Sequence, residues 1–126
     1  MQRITKLADN EIFVFGSNYA GRHGKGAALD AVKKFGAIPG QGIGLMGRSY
    51  GIATKDRNLN VLPLSTIQIQ IRKLLEFAME HPELRFIVTP IGCGLAGYKP
   101  REIAPLFHFY KRPLNVILPD EFKERL

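Results

Sequence analysis

The sequence predicts an α/β domain built on a largely parallel sheet covered on both faces. Three observations carry this. Two short runs of apolar, β-branched and aromatic residues, Glu11-Ile-Phe-Val-Phe15 and Arg85-Phe-Ile-Val-Thr89, lack the polar alternation of a half-exposed strand, so they read as strands buried on both faces. Each is followed by a glycine-rich loop that leads toward a helix-like segment, so strands and helices alternate. At 126 residues, 45% hydrophobic and 23% charged, the chain can bury one core as a single domain over 1–126 without disulfide or metal.

In chain order, the strand at 11–15 opens residues 16–36, GSNYAGRHGKGAALDAVKKFG, which hold five glycines. From Ala27 to Phe35, Ala28, Ala31, Val32 and Phe35 fall on one helical face, with Lys33 and Lys34 in the last turn and Gly36 just beyond. Residues 37–48 (AIPGQGIGLMGR) contain four more glycines and no period, the pattern of a second, flexible loop. Ser49 to Thr54 reads as a short strand, and 55–64 as a connection ending in Leu-Pro-Leu. Ser65 with Gln68 three places on is a capping-box signature, after which Ile67, Ile71, Leu74, Leu75 and Ala78 share one helical face. The opening IQIQI alternates like a strand, so the start of this helix is less defined than its end at His81-Pro82. Beyond the strand at 85–89, Pro100 suits a first helical position and Glu102 a first turn, and Pro105 should kink or shorten the helix REIAPLF. Asn115 to Leu118 is a last apolar strand, and 120–126 a charged tail able to form one helical turn. Phe107, Phe109 and Tyr110 are expected to pack between sheet and helix.

The formal net charge is +7, which suits a protein that meets phosphates, either on nucleic acid or on a small ligand. One cysteine, Cys93, excludes an internal disulfide and a cysteine-based zinc site, and points to a reducing compartment. No charged-then-apolar leader and no apolar run of about 18 residues appears, so neither a signal peptide nor a membrane span is expected and the chain reads as cytoplasmic.

Glycine lets backbone amides approach a ligand closely, and a helix start supplies unpaired N–H groups, so two glycine loops leaving the carboxyl ends of buried strands suit anionic oxygen. A P-loop fails: with four residues between it and Gly24-Lys25, the position that needs glycine is Tyr19, and the residue after Lys25 is Gly26. Gly42-x-Gly44-x-x-Gly47 matches a dinucleotide fingerprint in letters only, since it leads into a strand. Gly92-x-Gly94-x-x-Gly97 is better placed, with Asp120 within plausible reach of a ribose, but too little chain follows for a Rossmann half. What remains is a phosphate contact made by residues 16–26 and 92–97.

Two segments, GSNYAGRHGKGAALDAVKKFG and PIGCGLAGYKPREIAPLF, together resemble the macrodomains, three-layer α/β/α modules that bind ADP-ribose and in some branches remove it from proteins or nucleic acids. They are most similar to the branch of DNA-ADP-ribose antitoxins and protein-linked ADP-ribose glycohydrolases. That resemblance implies a macrodomain-like fold and a first loop in which Gly16, Ser17 and Asn18 face the ligand, Asn18 beside the distal ribose and Gly24, Lys25 and Gly26 lining it. The second loop, Gly92, Cys93, Gly94, Leu95, Ala96, Gly97 and Tyr98, would wrap the diphosphate through backbone amides. Lys55 falls near the branch's reactive lysine, and in a hydrolytic version His23 or a phosphate oxygen would take the proton. The implied partners are ADP-ribose or ADP-ribosylated protein or nucleic acid, with no cofactor, metal or membrane. The chain departs from the branch at Ala96, where an acid follows Gly-Cys-Gly-Leu, and at Met-Gln-Arg before Ile4, where many macrodomains carry an adenine-binding aspartate.

Each residue also has a plainer role open to it. Asn18 is a common turn residue; His23 can be an acid or base, or a loop histidine. Arg22 and Lys25 can hold phosphate or stay solvated, and Lys55 would need a depressed pKa to act as a nucleophile. Cys93 can be a small apolar filler, and Tyr98 can stack on ligand or cover the core. A non-catalytic nucleotide-signal binder and a basic nucleic-acid-binding domain are the alternatives, the latter without the interleaved aromatics that stack bases.

Overall fold

The computed structural model describes residues 3–108 and 111–123. The elements are β1 (Glu11–Asn18), α1 (Gly26–Lys34), β2 (Gly44–Met46), β3 (Ser49–Lys55), α2 (Leu64–Glu80), β4 (Arg85–Val88), α3 (Pro100–Ile103) with a 3-10 turn (Ala104–Phe107), β5 (Val116–Ile117) and α4 (Asp120–Lys123). This is a mixed α/β fold on one five-stranded sheet of order β2-β3-β1-β4-β5. β1 runs parallel to both β3 and β4, and β4 to β5, while β2 alone is antiparallel, against β3. Among the described residues no helix is long and apolar enough to cross a membrane.

β1 is central, which explains its unbroken apolar run. Ile12 and Val14 face one core with Ile67, Ile71, Leu74 and Leu75 of α2. Phe13 and Phe15 face a second core with Ala28 and Ala31 of α1, Phe35 and Met46. The Phe13 and Phe35 ring centroids are 4.8 Å apart. Successive side chains of a strand point to opposite faces, so a strand with an apolar partner on each side needs no polar positions.

Two sequence expectations are corrected. Residues 37–48 are not a flexible loop. They hold the edge strand β2, and Met46, 1% exposed, fills the α1-side core. The Ser65/Gln68 capping box does not form, because α2 starts two residues earlier, at Leu64 after Pro63, with no side-chain cap. The Pro63 carbonyl accepts from the Thr66 and Ile67 amides instead, at 3.0 and 3.2 Å. The strand-like IQIQI is helical, and Gln70 has a specific task there. Its buried amide pairs with both backbone groups of Ala53, donating to the carbonyl and accepting from the N–H, each at 2.7 Å. The side chain thus stands in for a neighbouring strand beyond the end of the β2 pairing.

Pro105 does shorten its helix: α3 ends at Ile103 and gives way to the 3-10 turn, as expected where a residue has no amide hydrogen to donate. Phe107 is buried in the α2-side core, against Phe122. Phe109, Tyr110 and the 124–126 end of the tail lie outside the described residues.

Asp30 on α1 is buried and ion-paired with Arg3 through two hydrogen bonds, one of them Nε to Oδ2 at 3.0 Å. The Arg3 guanidinium holds the carboxyl below its ordinary value of 3.8 against the opposing effect of burial. A depressed folded-state pKa gives stability that is present above the unfolded value and lost as pH falls through the folded one. Acid unfolding of the native chain should therefore steepen below about pH 4, and in Arg3→Ala the stability-versus-pH curve should flatten there while losing height near neutrality. Superimposable curves for the two proteins would show that the pair contributes nothing.

Candidate functional site

The loops that leave β3, β1 and β4 at their carboxyl ends surround one open cleft of about 640 Å³. Both glycine loops reach it: Gly24 from the first and Gly94 from the second line the same space. They meet because β1 and β4 are adjacent parallel strands, so the chain leaves both at the same edge of the sheet. The backbones come close where β1 ends. A Cβ added at Gly16 would lie 3.5 Å from the Gly92 amide nitrogen. At Gly24, Gly26 and Gly94, in contrast, an added Cβ would meet nothing within 4 Å.

The amino end of α1 forms one wall, with Gly26, Ala27 and Ala28 lining the cleft. Lys25, at the N-cap, is extended and makes no side-chain cap, and the first turn carries no acid. The first-turn amides and the positive end of the helix dipole therefore face the cleft without a protein carboxylate to satisfy them. The second loop is held in shape by its own backbone: Tyr98 N donates to Gly92 O at 2.9 Å and Gly97 N to Gly94 O at 3.0 Å. Gly92 adopts a left-handed φ of 75°, a conformation that favours glycine, and an added Cβ would come within 3.1 Å of the Ile103 side chain.

Among the described residues, the ionisable side chains lining the cleft are Arg22, Lys25 and Lys55, all cations. Neither a carboxylate nor an imidazole lines it. Three positive charges in a concave, partly apolar space concentrate an anion.

Of the residues expected at the site, Gly16, Ser17 and Asn18 line the cleft at the end of β1. Asn18 is 7% exposed, and its amide clips the turn that follows: Nδ2 donates to Arg22 O at 2.9 Å and Oδ1 accepts from Arg22 N at 3.0 Å. One N–H and one lone pair of the amide remain for a ligand. Lys25, Gly26, Lys55, Gly92, Leu95 and Ala96 also line the cleft.

Four expected residues do not. His23 is 6% exposed and turns away, with Nε2 facing the carbonyls of Gln41 at 2.8 Å and Ile38 at 3.2 Å and its ring edge-on to Phe15. Its Nε2 bonds hold the first loop to residues 38–41. Tyr98 covers the core, with its hydroxyl donating to Leu62 O. Cys93 packs against the same core, and burial, helped by Glu121 and Glu102, pushes its thiol up to about 11. It is a protonated thiol, not a nucleophile, at neutral pH. Gly97 only shapes the loop, at φ 85°.

Sequence reasoning missed Thr54, Leu59, Thr89, Pro90 and Ile91, which also line the cleft. Position carries the signal: apart from Leu59, they stand at or just past the carboxyl ends of β3 and β4. A second cavity of about 500 Å³ adjoins the first, sharing Gly26, Ala27, Thr89 and Pro90 and extending to Arg3, Asp30 and Glu121. No protein-family model, curated protein or solved structure matches the chain.

Proposed function

We propose that the cleft binds ADP-ribose or a related nucleotide diphosphate sugar, free or carried on protein or nucleic acid, on a three-layer macrodomain-like fold. The convergence of Gly24, Gly94 and the uncapped start of α1 on one cleft lined by Arg22, Lys25 and Lys55 carries this reading. Backbone amides, a helix start and cations are three independent attractors for phosphate, and their combination in a single cavity favours a ligand with more than one phosphate oxygen group to hold. About 640 Å³ lies within the usual range of small-molecule sites, and the adjoining cavity offers room for a nucleoside end. Separate cores on the two faces of the sheet, one with α1 and one with α2, support the layer order that this fold requires.

Binding without turnover is the reading the side chains favour. Ala96 stands in the cleft where the similar branch has an acid, and His23 does not line it. Cleavage of an ADP-ribosyl linkage would then depend on a proton acceptor in the ligand, such as a phosphate oxygen. Calorimetric titration with ADP-ribose should give one saturable site whose affinity falls as salt rises. Absence of heat at millimolar ligand would overturn the assignment. Recovery of the ligand unchanged from a modified protein or oligonucleotide after prolonged incubation supports a binder, and release of ADP-ribose from it shows a hydrolase.

A further inference from the structure

Leu59 and Leu95 are out of place in a cleft built for anions. Both line it, and they are 43% and 75% exposed. Leu59 is also the one described non-glycine residue with a left-handed backbone, at φ 65°, a conformation rarely adopted by a bulky side chain. The turn holds it there. Asp56 Oδ1 accepts from the amides of Asn58 and Asn60 at 2.8 and 3.0 Å, Asp56 N donates to Asn60 O at 2.8 Å, and Leu59 N donates to Asp56 O at 3.1 Å. Glycine or asparagine would adopt this turn more easily. A strained residue that presents an apolar side chain to a cleft is a candidate ligand contact.

The topology sets the two leucines on opposite flanks. Leu59 belongs to the loop after β3 and Leu95 to the loop after β4, and these strands are the two neighbours of β1. Neither leucine borders the second cavity, which adjoins the cleft on the Gly26 and Thr89 side. A ligand with its diphosphate at the glycine loops and one nucleoside in that cavity would thus extend its other sugar toward the leucines.

We propose that Leu59 and Leu95 form an apolar clamp for an uncharged planar ring on the second sugar, so that the preferred ligand class is a dinucleoside diphosphate. This rests on the phosphate-binding reading above and narrows it. The cations Arg22, Lys25 and Lys55 in the same cleft suit the diphosphate and oppose a positively charged ring.

Four ligands share the ADP-ribose frame and test the clamp on the full chain: ADP-ribose has no second ring, diadenosine diphosphate and NADH carry an uncharged one, and NAD+ a cationic one. Diadenosine diphosphate and NADH should bind about tenfold tighter than ADP-ribose through burial of leucine surface, and NAD+ more weakly than NADH. In Leu59→Gly and in Leu95→Ser the ratio of ring-bearing ligand to ADP-ribose affinity should fall toward one. Leu59→Gly should melt no lower than the native chain, since strain is relieved, which separates loss of the clamp from loss of the fold. Equal affinities for ADP-ribose and the uncharged-ring ligands, or a ratio untouched by both substitutions, would overturn the clamp and leave the phosphate site standing. Failure of all four ligands to bind would remove the phosphate site and the clamp with it.

Discussion

Valine in place of Gly24 or Gly94 should abolish ADP-ribose binding while the protein melts within a few degrees of the native chain. Neither glycine has a left-handed φ, and a Cβ at either position meets no protein atom within 4 Å, so the fold has room for the side chain. Both positions line the cleft, so on the proposed function that room is the ligand's. A valine there holds phosphate oxygen away from the loop amides. Two charge-assisted hydrogen bonds at about 1.5–3 kcal/mol each set the expected loss at a hundredfold or more. Calorimetry measures the affinity and scanning calorimetry the melting temperature. A Gly94→Val protein that binds ADP-ribose normally would place the phosphates elsewhere and refute the two-loop site.

The site's outline was legible because it follows from the sheet. A strand as uniformly apolar as Ile12 to Phe15 has to lie between two layers, and a glycine loop leaving such a strand has to emerge at its carboxyl edge. Arg85–Val88 follows the same rule, so the loop after it emerges at the same edge. What was not legible depends on long-range packing. The residues of β2, Gly44, Leu45 and Met46, have no strand period of their own. They pair because Met46 is drawn into the core of Phe13 and Phe35. His23 and Asn18 occupy the same loop, and composition does not tell that one turns inward to the Gln41 carbonyl while the other borders the cleft. Leu59 was silent as well. Its left-handed backbone arises from the Asp56 hydrogen bonds, which the string Asp-Arg-Asn-Leu-Asn permits but does not demand.

Alanine at Gly42 or Gly51 should cause a large loss of stability, through contacts with backbone atoms. A Cβ at Gly42 would stand 1.9 Å from the Asn18 carbonyl oxygen, and one at Gly51 would stand 2.3 Å from the Gly42 carbonyl oxygen. The atoms struck are backbone, and Asn18 and Gly51 are both held in the β1–β3 pairing, so a rotamer change does not relieve the overlap. Each substitution should cost about 3 kcal/mol or more and lower the melting temperature by roughly 10 °C or more in a domain of this size. Gly24→Ala, into open space, should stay within about 0.5 kcal/mol. The damage at Gly42 should also reach the ligand. Residues 40–42 hold the first loop through Gly40 N to Gly21 O, Ser17 Oγ to Gly42 O and the Gln41 carbonyl to His23. Displacing them moves Asn18 and the chain leading to Gly24, so Gly42→Ala should weaken ADP-ribose binding, and saturating ligand should raise its melting temperature less than it raises that of the native chain. If Gly42→Ala melts normally and binds normally, residues 40–42 shift independently of β1, and the first loop does not depend on them for its shape.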